Sequence, residues 1–457
     1  MAWTLDQLLA CAAFGLVATL GSPVAARTAT SGDAPAAPAP ADQPARPEDW
    51  AVHGQFTFVN QGDLAFRSPY SGPNSLAPAQ SRETTDATLY AGVRLWSGAE
   101  LWIDPEIDQG FGLSNTLGVA GFPSGEAYKV GRAEPYFRLQ RLFVRQTIDL
   151  GGESQTVDPD LNQLGGTQSA NRLVITIGKL GVPDIFDNNT YAHDPRGDFL
   201  NWSLIDTGTF DYAADAWGYT YGAAAEWYVG RFTLRGGAFD LSVVPNSETL
   251  DPNFSQFQLA GELEERHKFL GRAGKIRITG FLSRGRMGSF ADAVQVAEAT
   301  GQPADIAAVR RYQGRGGVSF NLEQEVADGL GVFARAGTAN GGVEPYEFAD
   351  IDRTLAAGVS LNGKRWGRSN DTIGLAGVVN GISKEHELYL ALGGTGILVG
   401  DGRLPHPGSE QILETYYDLA AYGPAHISLD YQFVANPAYN RDRGPVSIFA
   451  ARLHTQF

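Results

Sequence analysis

From Trp50 to the end of the chain, apolar and polar residues alternate with a period of two, the mark of strands whose faces meet unlike surroundings. In "TLYAGVRLW", Leu89, Ala91, Val93 and Leu95 fall on one face, and Thr88, Tyr90, Gly92, Arg94 and Trp96 on the other. "AELWIDPE" sets Leu101 and Ile103 against Glu100, Trp102, Asp104 and Glu106. "RLFVRQTIDL" sets Leu142, Val144 and Ile148 against Arg141, Phe143, Arg145 and Thr147. Aliphatics on one side and charge on the other fit a wall with lipid outside and water inside. "DAWGYTYGAAAEWYVG" puts Trp217, Tyr219, Tyr221, Ala223, Ala225, Trp227 and Val229 on one face. A tilted strand projects the spacing from Trp217 to Trp227 to about 25 Å, the height of the apolar band between the aromatic girdles of a transmembrane barrel. In "NRLVITIGKL" the faces are less distinct, and Lys179 receives no direction.

Connection lengths set the strand count, because single-chain bacterial barrels have an even number of strands and alternate short turns with long outer loops. Short hairpins fall at 97–98, 229–230, 325–329, 362–370 and 422–425. Long stretches fall at 61–85, 108–136, 181–215, 242–253, 285–311, 339–351, 381–410 and 435–444. Keeping the alternation makes "KEHELYLALGG" (384–394) a loop element and leaves sixteen strands. The connection over 151–170 is too long for the short side, which keeps eighteen as the alternative. In the final segment Phe449, Ala451, Leu453, Thr455 and Phe457 share an outward face. Pairing it with "DWAVHGQFTFVNQG" closes the sheet and leaves no edge in lipid. The expected fold is therefore all-β, a transmembrane antiparallel β-barrel over 50–457. A soluble sandwich or propeller also alternates, but no blade-length repeat is present, and the girdle spacing and terminal Phe favour the membrane.

Composition agrees. Only 19% of residues are charged, 11% are aromatic and 56 are Gly, while mean hydropathy is −0.19, so apolar surface is covered without long apolar runs. A net charge of −16 argues against nucleic acid as a partner. The one apolar run, "LLACAAFGLVATL" (8–20), precedes Val24-Ala25-Ala26 and reads as an export signal over 1–26, followed by an Ala/Pro-rich flexible segment over 27–49. Cys11, the only cysteine, lies in the middle of that run, which disfavours lipidation and excludes an intrachain disulfide.

Catalytic signatures are missing, and the seven His are scattered without metal spacing. Asp104, Glu106, Asp108 and Gly110 half resemble a calcium loop, but its closing Glu is replaced by Asn115, so no metal is assigned. What remains suits passage. By parity Arg94, Arg141, Arg145, Arg235, Glu100, Asp104, Glu106, Glu414, Asp430 and Gln432 project inward, with Trp96, Trp102, Phe143 and Tyr416 among them. Charged and amide groups bind sugar hydroxyls, rings stack on the apolar sugar faces, and transport needs such sites to be weak and several.

The segments "VPDIFDNNTYAHDPRGDFLNWS" (182–203), "GDGRL" (400–404), "ETYYDL" (414–419) and "NPAYNRDRGPVSIFAARLHTQF" (436–457) resemble, in order, the motifs of the carbohydrate-selective porins of the OprB family. The resemblance implies a sixteen-stranded outer-membrane barrel of a Gram-negative bacterium, with long extracellular loops folded inward to narrow the pore. It implies passive diffusion of glucose and similar small neutral sugars, with no cofactor and no reaction. Matched residues are Asp187, Asn188, Tyr191, Asp194, Arg196, Asp198, Asn201 and Trp202, together with Glu414, Tyr416 and Tyr417, the last facing lipid by parity. Gly197 and Thr455 depart from the pattern. Asp194 and Asp198 flank Arg196, a spacing that would fix its direction by pairing. The terminal Phe457 resembles the signal read by barrel-assembly machinery, and a porin of this kind is a monomer or a homotrimer.

Overall fold

The computed structural model describes residues 47–457 except Tyr128, Lys129 and Ala349; the expected export signal and nearly all of the Ala/Pro-rich segment lie outside the described residues. Sixteen strands form one closed antiparallel barrel in which every strand pairs with its sequence neighbours. They are β1 (Trp50–Asp63), β2 (Ser81–Trp96), β3 (Ala99–Gly110), β4 (Arg132–Val157), β5 (Gly166–Leu180), β6 (Thr220–Val229), β7 (Phe232–Asp240) and β8 (Phe257–Phe269). The circle continues through β9 (Arg272–Met287), β10 (Arg311–Ala327), β11 (Leu330–Ala339), β12 (Arg353–Asn362), β13 (Thr372–Gly381), β14 (Glu410–Tyr422), β15 (Ala425–Ala435) and β16 (Val446–Gln456).

The seam lies between β1 and β16, in register from Gln55 opposite Gln456 to Asp63 opposite Ile448. Gly54 and Phe457 exchange both backbone hydrogen bonds at 3.0 Å. A Cβ on Gly54 would come within 2.5 Å of the Phe457 ring, so only glycine lets the terminal ring lie flat against the wall. Closure pairs every strand on both sides around the wall, the condition for crossing lipid.

The outward faces carry the exposed aliphatics that alternation predicts, including Leu89, Ile103, Leu142, Ile177, Leu355 and Leu429. Short turns at 97–98, 230–231, 270–271, 328–329 and 423–424 lie at one end, and the long loops at the other. The segment 384–394 is indeed a loop element: it holds helix α3 (Lys384–Ala391), after α1 (Trp202–Ile205) and α2 (Phe290–Thr300). Ser383 caps α3 by accepting the His386 N–H at 3.0 Å. The alternative of eighteen strands falls. β4 and β5 instead run past the rim as a paired ribbon that turns through 158–165.

One expectation for the strands is overturned. Trp217 and Tyr219 are not on a strand, because β6 begins at Thr220; both are buried in the preceding loop. The Trp217 indole donates to the Tyr136 hydroxyl at 3.1 Å, and Arg138 lies over its ring at 3.4 Å. Residues whose parity continued that of β6 gained a better partner inside, and of that pair only Trp227 faces outward.

Candidate functional site

The lumen is not uniform. On β11–β16 many inward residues are apolar, namely Phe333, Ala356, Ala376, Val378, Ile412, Tyr416, Val434, Val446 and Ile448. Ala192, Phe199, Leu204 and Ile205, from the loop 181–219 between β5 and β6, pack on them. This loop therefore fills one side of the barrel and leaves the polar side, β4–β9, open.

A loop buried in this way must find partners for its backbone, and the wall supplies them. Glu414 accepts the N–H groups of Leu200 (2.5 Å) and Asn201 (2.9 Å). Asn201 caps α1 through Ser203 N (3.1 Å) and donates to the Gly121 carbonyl (2.8 Å) and to Gln432 (3.2 Å). Asp187, fully buried at φ +57, accepts from Thr207 N (2.6 Å), the Thr207 hydroxyl (3.0 Å) and Asn321 (2.8 Å). Arg335 stands 3.7 Å from Asp187 and donates to the carbonyls of Leu204, Ala192 (2.8 Å) and Asp187 (3.2 Å). Arg452 donates to the carbonyls of Pro195 and Asp198.

On the open side lies a cavity of about 930 Å3, bounded by this loop above, by β4–β9 laterally and by the tip of the β4–β5 ribbon below. Most of its cations are matched by acids. Arg141 grips Asp184 with two hydrogen bonds (2.8 and 2.7 Å) and lies 5.0 Å over the Tyr219 ring. Arg196 reaches Asp86 (3.5 Å), Glu126 (3.4 Å) and Asp194 (3.8 Å). Arg235 bonds Glu226 (2.9 Å), Glu262 (2.6 Å) and Glu264 (3.2 Å), and Arg277 bonds Glu264 and Glu323, both at 3.0 Å. Phe143, Trp202, Tyr212, Tyr219 and Tyr228 supply rings. Such a lining offers many hydrogen-bonding groups and little net field, which suits uncharged polyols better than ions.

The loop carboxyls differ in environment. Burial raises Asp184, but the Arg141 guanidinium outweighs it and holds the carboxyl below its ordinary value. Burial pushes Asp198 up to about 6, although it accepts the N–H groups of His193 (3.0 Å) and Asp194 (3.1 Å). Asp206 is pushed to about 7 by burial and then by the charge of Asp187. Burial also raises Glu126, against the opposing charge of Arg196.

Of the residues predicted from sequence, Arg141, Phe143, Arg145, Asn188, Asp194, Arg196 and Trp202 line the cavity. The strand residues Glu414, Tyr416, Asp104 and Glu106 face inward as parity demands but do not reach it, and Trp96, expected inward, is exposed beyond the β2–β3 turn. Glu414, Tyr416, Asp187, Asn201 and Asp198 brace the loop, and Tyr191 packs against Gly331 of the wall. Asp104 accepts from Asn162 (2.9 Å), and Glu106 from Thr88 (2.5 Å) and Gln140 (3.0 Å). Both lie on β3, so the half-resemblance to a calcium loop is a strand, and among the described residues no group of three or more His, Cys or acidic side chains could hold a metal. Arg94, Trp96, Glu100 and Trp102 sit at the turn end. Arg94 donates to the Glu48 carbonyl (2.9 Å), Trp96 is exposed and bonds Gln146 (2.7 Å), and Trp102 is wholly buried and bonds Glu100 (3.1 Å). Asp198 does not pair with Arg196, whose acidic partners besides Asp194 come from elsewhere. Tyr417, expected against lipid, donates to Asp371 at the turn end (2.5 Å). Lys179 points inward, 3.5 Å from Asp215. Sequence reasoning missed Asp184, Glu126, Arg172, Tyr228, Glu264, Arg266 and Arg277. For Glu264, Arg266 and Arg277 the period of two in "GELEERHKF" and "KIRITG" was the available signal.

A family model described as carbohydrate-selective porin, OprB family, matches residues 74–457. No curated protein sequence matches the chain. Among solved structures, OprB of Pseudomonas putida in its high-pH form aligns with TM-score 0.66 at 15% identity, over 90% of this chain and 94% of that one. The outer membrane channel DcaP of Acinetobacter baumannii aligns with TM-score 0.50 at 10% identity, over 90% and 97% of the two chains. At these identities the structures speak for the fold alone.

Proposed function

The chain belongs to the carbohydrate-selective porin family, OprB, and from that premise we propose that the cavity between loop 181–219 and strands β4–β9 is the path by which small neutral sugars cross a Gram-negative outer membrane. The observation that carries this reading is the pairing of charges along the open wall, with rings between them. A sugar entering the cavity exchanges water for hydrogen bonds to Arg141, Asp184, Arg196 and Asp194, and sets its apolar face against Phe143, Trp202 or Tyr219. Each contact is exposed to cavity water and is a weak one. Affinity stays near the millimolar range, about −4 kcal/mol, and release downhill is fast. Movement follows the gradient and needs no cofactor or bond-breaking step. The ring of Phe457 at the seam is the group offered to the assembly machinery.

The purified protein should form steady pores in planar bilayers whose ion current is reduced by millimolar glucose. A protein that inserts and conducts but takes up solutes strictly by size in liposome swelling would be a general porin. Absence of any conductance would refute the channel reading.

A further inference from the structure

The β4–β5 ribbon outruns the strands on either side of it. β3 pairs with β4 only as far as Gln146, and β6 pairs with β5 only from Arg172 onward, so among the described residues 149–157 and 166–171 extend past the turn-end rim with no other strand beside them. The ribbon is bent. Its register shifts at Asp149/Gly151 and again at Gly151/Ser154, and Gly151 and Gly152 sit at φ +99 and +94, a region that favours glycine.

Beyond the bend the tip returns under the barrel and is held there. Leu164, 2% exposed, packs with Ala51, Tyr90, Trp102 and Phe143, and Leu161 covers them. Asn162 donates to Asp104 (2.9 Å), while its carbonyl accepts from Arg145 (2.7 Å). Gly165 exchanges hydrogen bonds with Glu48, donating to its carboxylate (2.7 Å) and accepting its N–H (3.0 Å). A solvated turn needs none of these. The same tip forms the floor of the sugar cavity, which Gln155, Asn162, Gln163 and Gln168 line together with Arg172 and Tyr228. Arg172 lies 3.8 Å over the Tyr228 ring and donates to Gln155 (3.3 Å), so ribbon and wall meet there.

We propose that the docked tip of the β4–β5 ribbon is a second selectivity element of this channel, which limits the size of saccharide that can leave at the turn end. This rests on the sugar-channel reading. The loop filter and the ribbon filter lie in series along one cavity, and the narrower of the two sets the cut-off. The ribbon's amides and the Arg172–Tyr228 pair give it the same hydrogen-bonding and stacking chemistry as the upper filter.

The test is liposome swelling with glucose, sucrose and maltotriose on three forms of the full chain: wild type, Leu164→Asp, which places a charge in the apolar seat of the tip, and a variant in which 151–168 is replaced by Ser-Gly. A fourth, Asp104→Cys with Asn162→Cys, locks the tip when oxidised. Heat-modifiable migration on gels reports that each barrel is closed. Release should raise the sucrose-to-glucose rate ratio about fivefold or more, with glucose uptake kept, and the oxidised lock should restore the wild-type ratio. Unchanged ratios in a folded release variant would overturn the proposal and leave the sugar channel standing. Failure of wild type to pass glucose would instead refute the channel itself. If the ribbon deletion does not fold, Leu164→Asp decides the matter alone.

Discussion

Replacing Asp187 by Asn separates the wall from its filter. The amide keeps the shape of the carboxylate and tolerates the left-handed backbone at φ +57, so the substitution removes the charge and turns one accepting oxygen into a donor. The carboxylate accepts three hydrogen bonds, from Thr207 N, the Thr207 hydroxyl and Asn321, and faces the fully buried Arg335. Breaking a buried pair of this kind costs about 3–5 kcal/mol. Arg335 retains its carbonyl partners, which places the expected loss near the lower bound, about 3 kcal/mol. That is a rise of roughly a hundredfold in the undocked population of the loop. The loop offers its own assay. Arg196 is its only Lys or Arg, and in the docked state its side chain is held by Asp86 and Glu126. Limited trypsin digestion should cut at Arg196–Gly197, and where cleavage is slower than redocking the rate follows the undocked population. Asp187→Asn should therefore be cut about a hundred times faster than wild type while its barrel stays heat-modifiable. Equal cleavage rates would refute the claim that this buried lock holds the loop.

Arg141→Ala should leave conductance near wild type and raise the glucose concentration for half-block about tenfold, one charge-assisted hydrogen bond's worth; an unchanged block would take Arg141 out of the sugar path. Asp206, whose docked value of about 7 lies above that of a free carboxyl, favours docking when protonated. Its contribution is complete below about pH 4 and is lost as pH rises through about 7. Hydrogen exchange in 181–219, corrected for intrinsic rates, should thus show weaker protection at pH 8 than at pH 4, and Asp206→Asn should reduce the difference, leaving the part due to Asp198. A variant retaining the full pH dependence would assign it to another group. Phe457→Ala should lower the yield of heat-modifiable barrel in outer-membrane fractions several-fold, and equal yields would mean that the terminal ring is not read during assembly.

The barrel was legible in the sequence because each strand meets lipid on one face and water or polar neighbours on the other, and a period of two records that contrast at every step. The inward parity of Arg141, Arg145, Glu414 and Asp430 holds for the same reason. Parity says which face a residue occupies but not what lies opposite it. Glu414 and Arg141 therefore read alike, although one is sealed beneath a loop and the other lines open space. The seat that separates them is a tertiary product of Phe333, Ala356, Ile412 and Val434 on four different strands, and no local pattern joins them. Trp217 failed for a related reason: its parity continues that of β6, yet the strand stops where Arg138 and Tyr136 offer the ring a place inside.

The loop's anchors also fix an order of events. Leu200 and Asn201 are held by Glu414, more than two hundred positions later in the chain, and Asp187 by Asn321 and Arg335. Contacts so distant in sequence form late. While strands are still being added, loop 181–219 has no seat, and the nascent cylinder is as wide as its circumference allows. Discrimination between solutes therefore waits until loop 181–219 and β14 stand in one cylinder, which the seam between Gly54 and Phe457 closes.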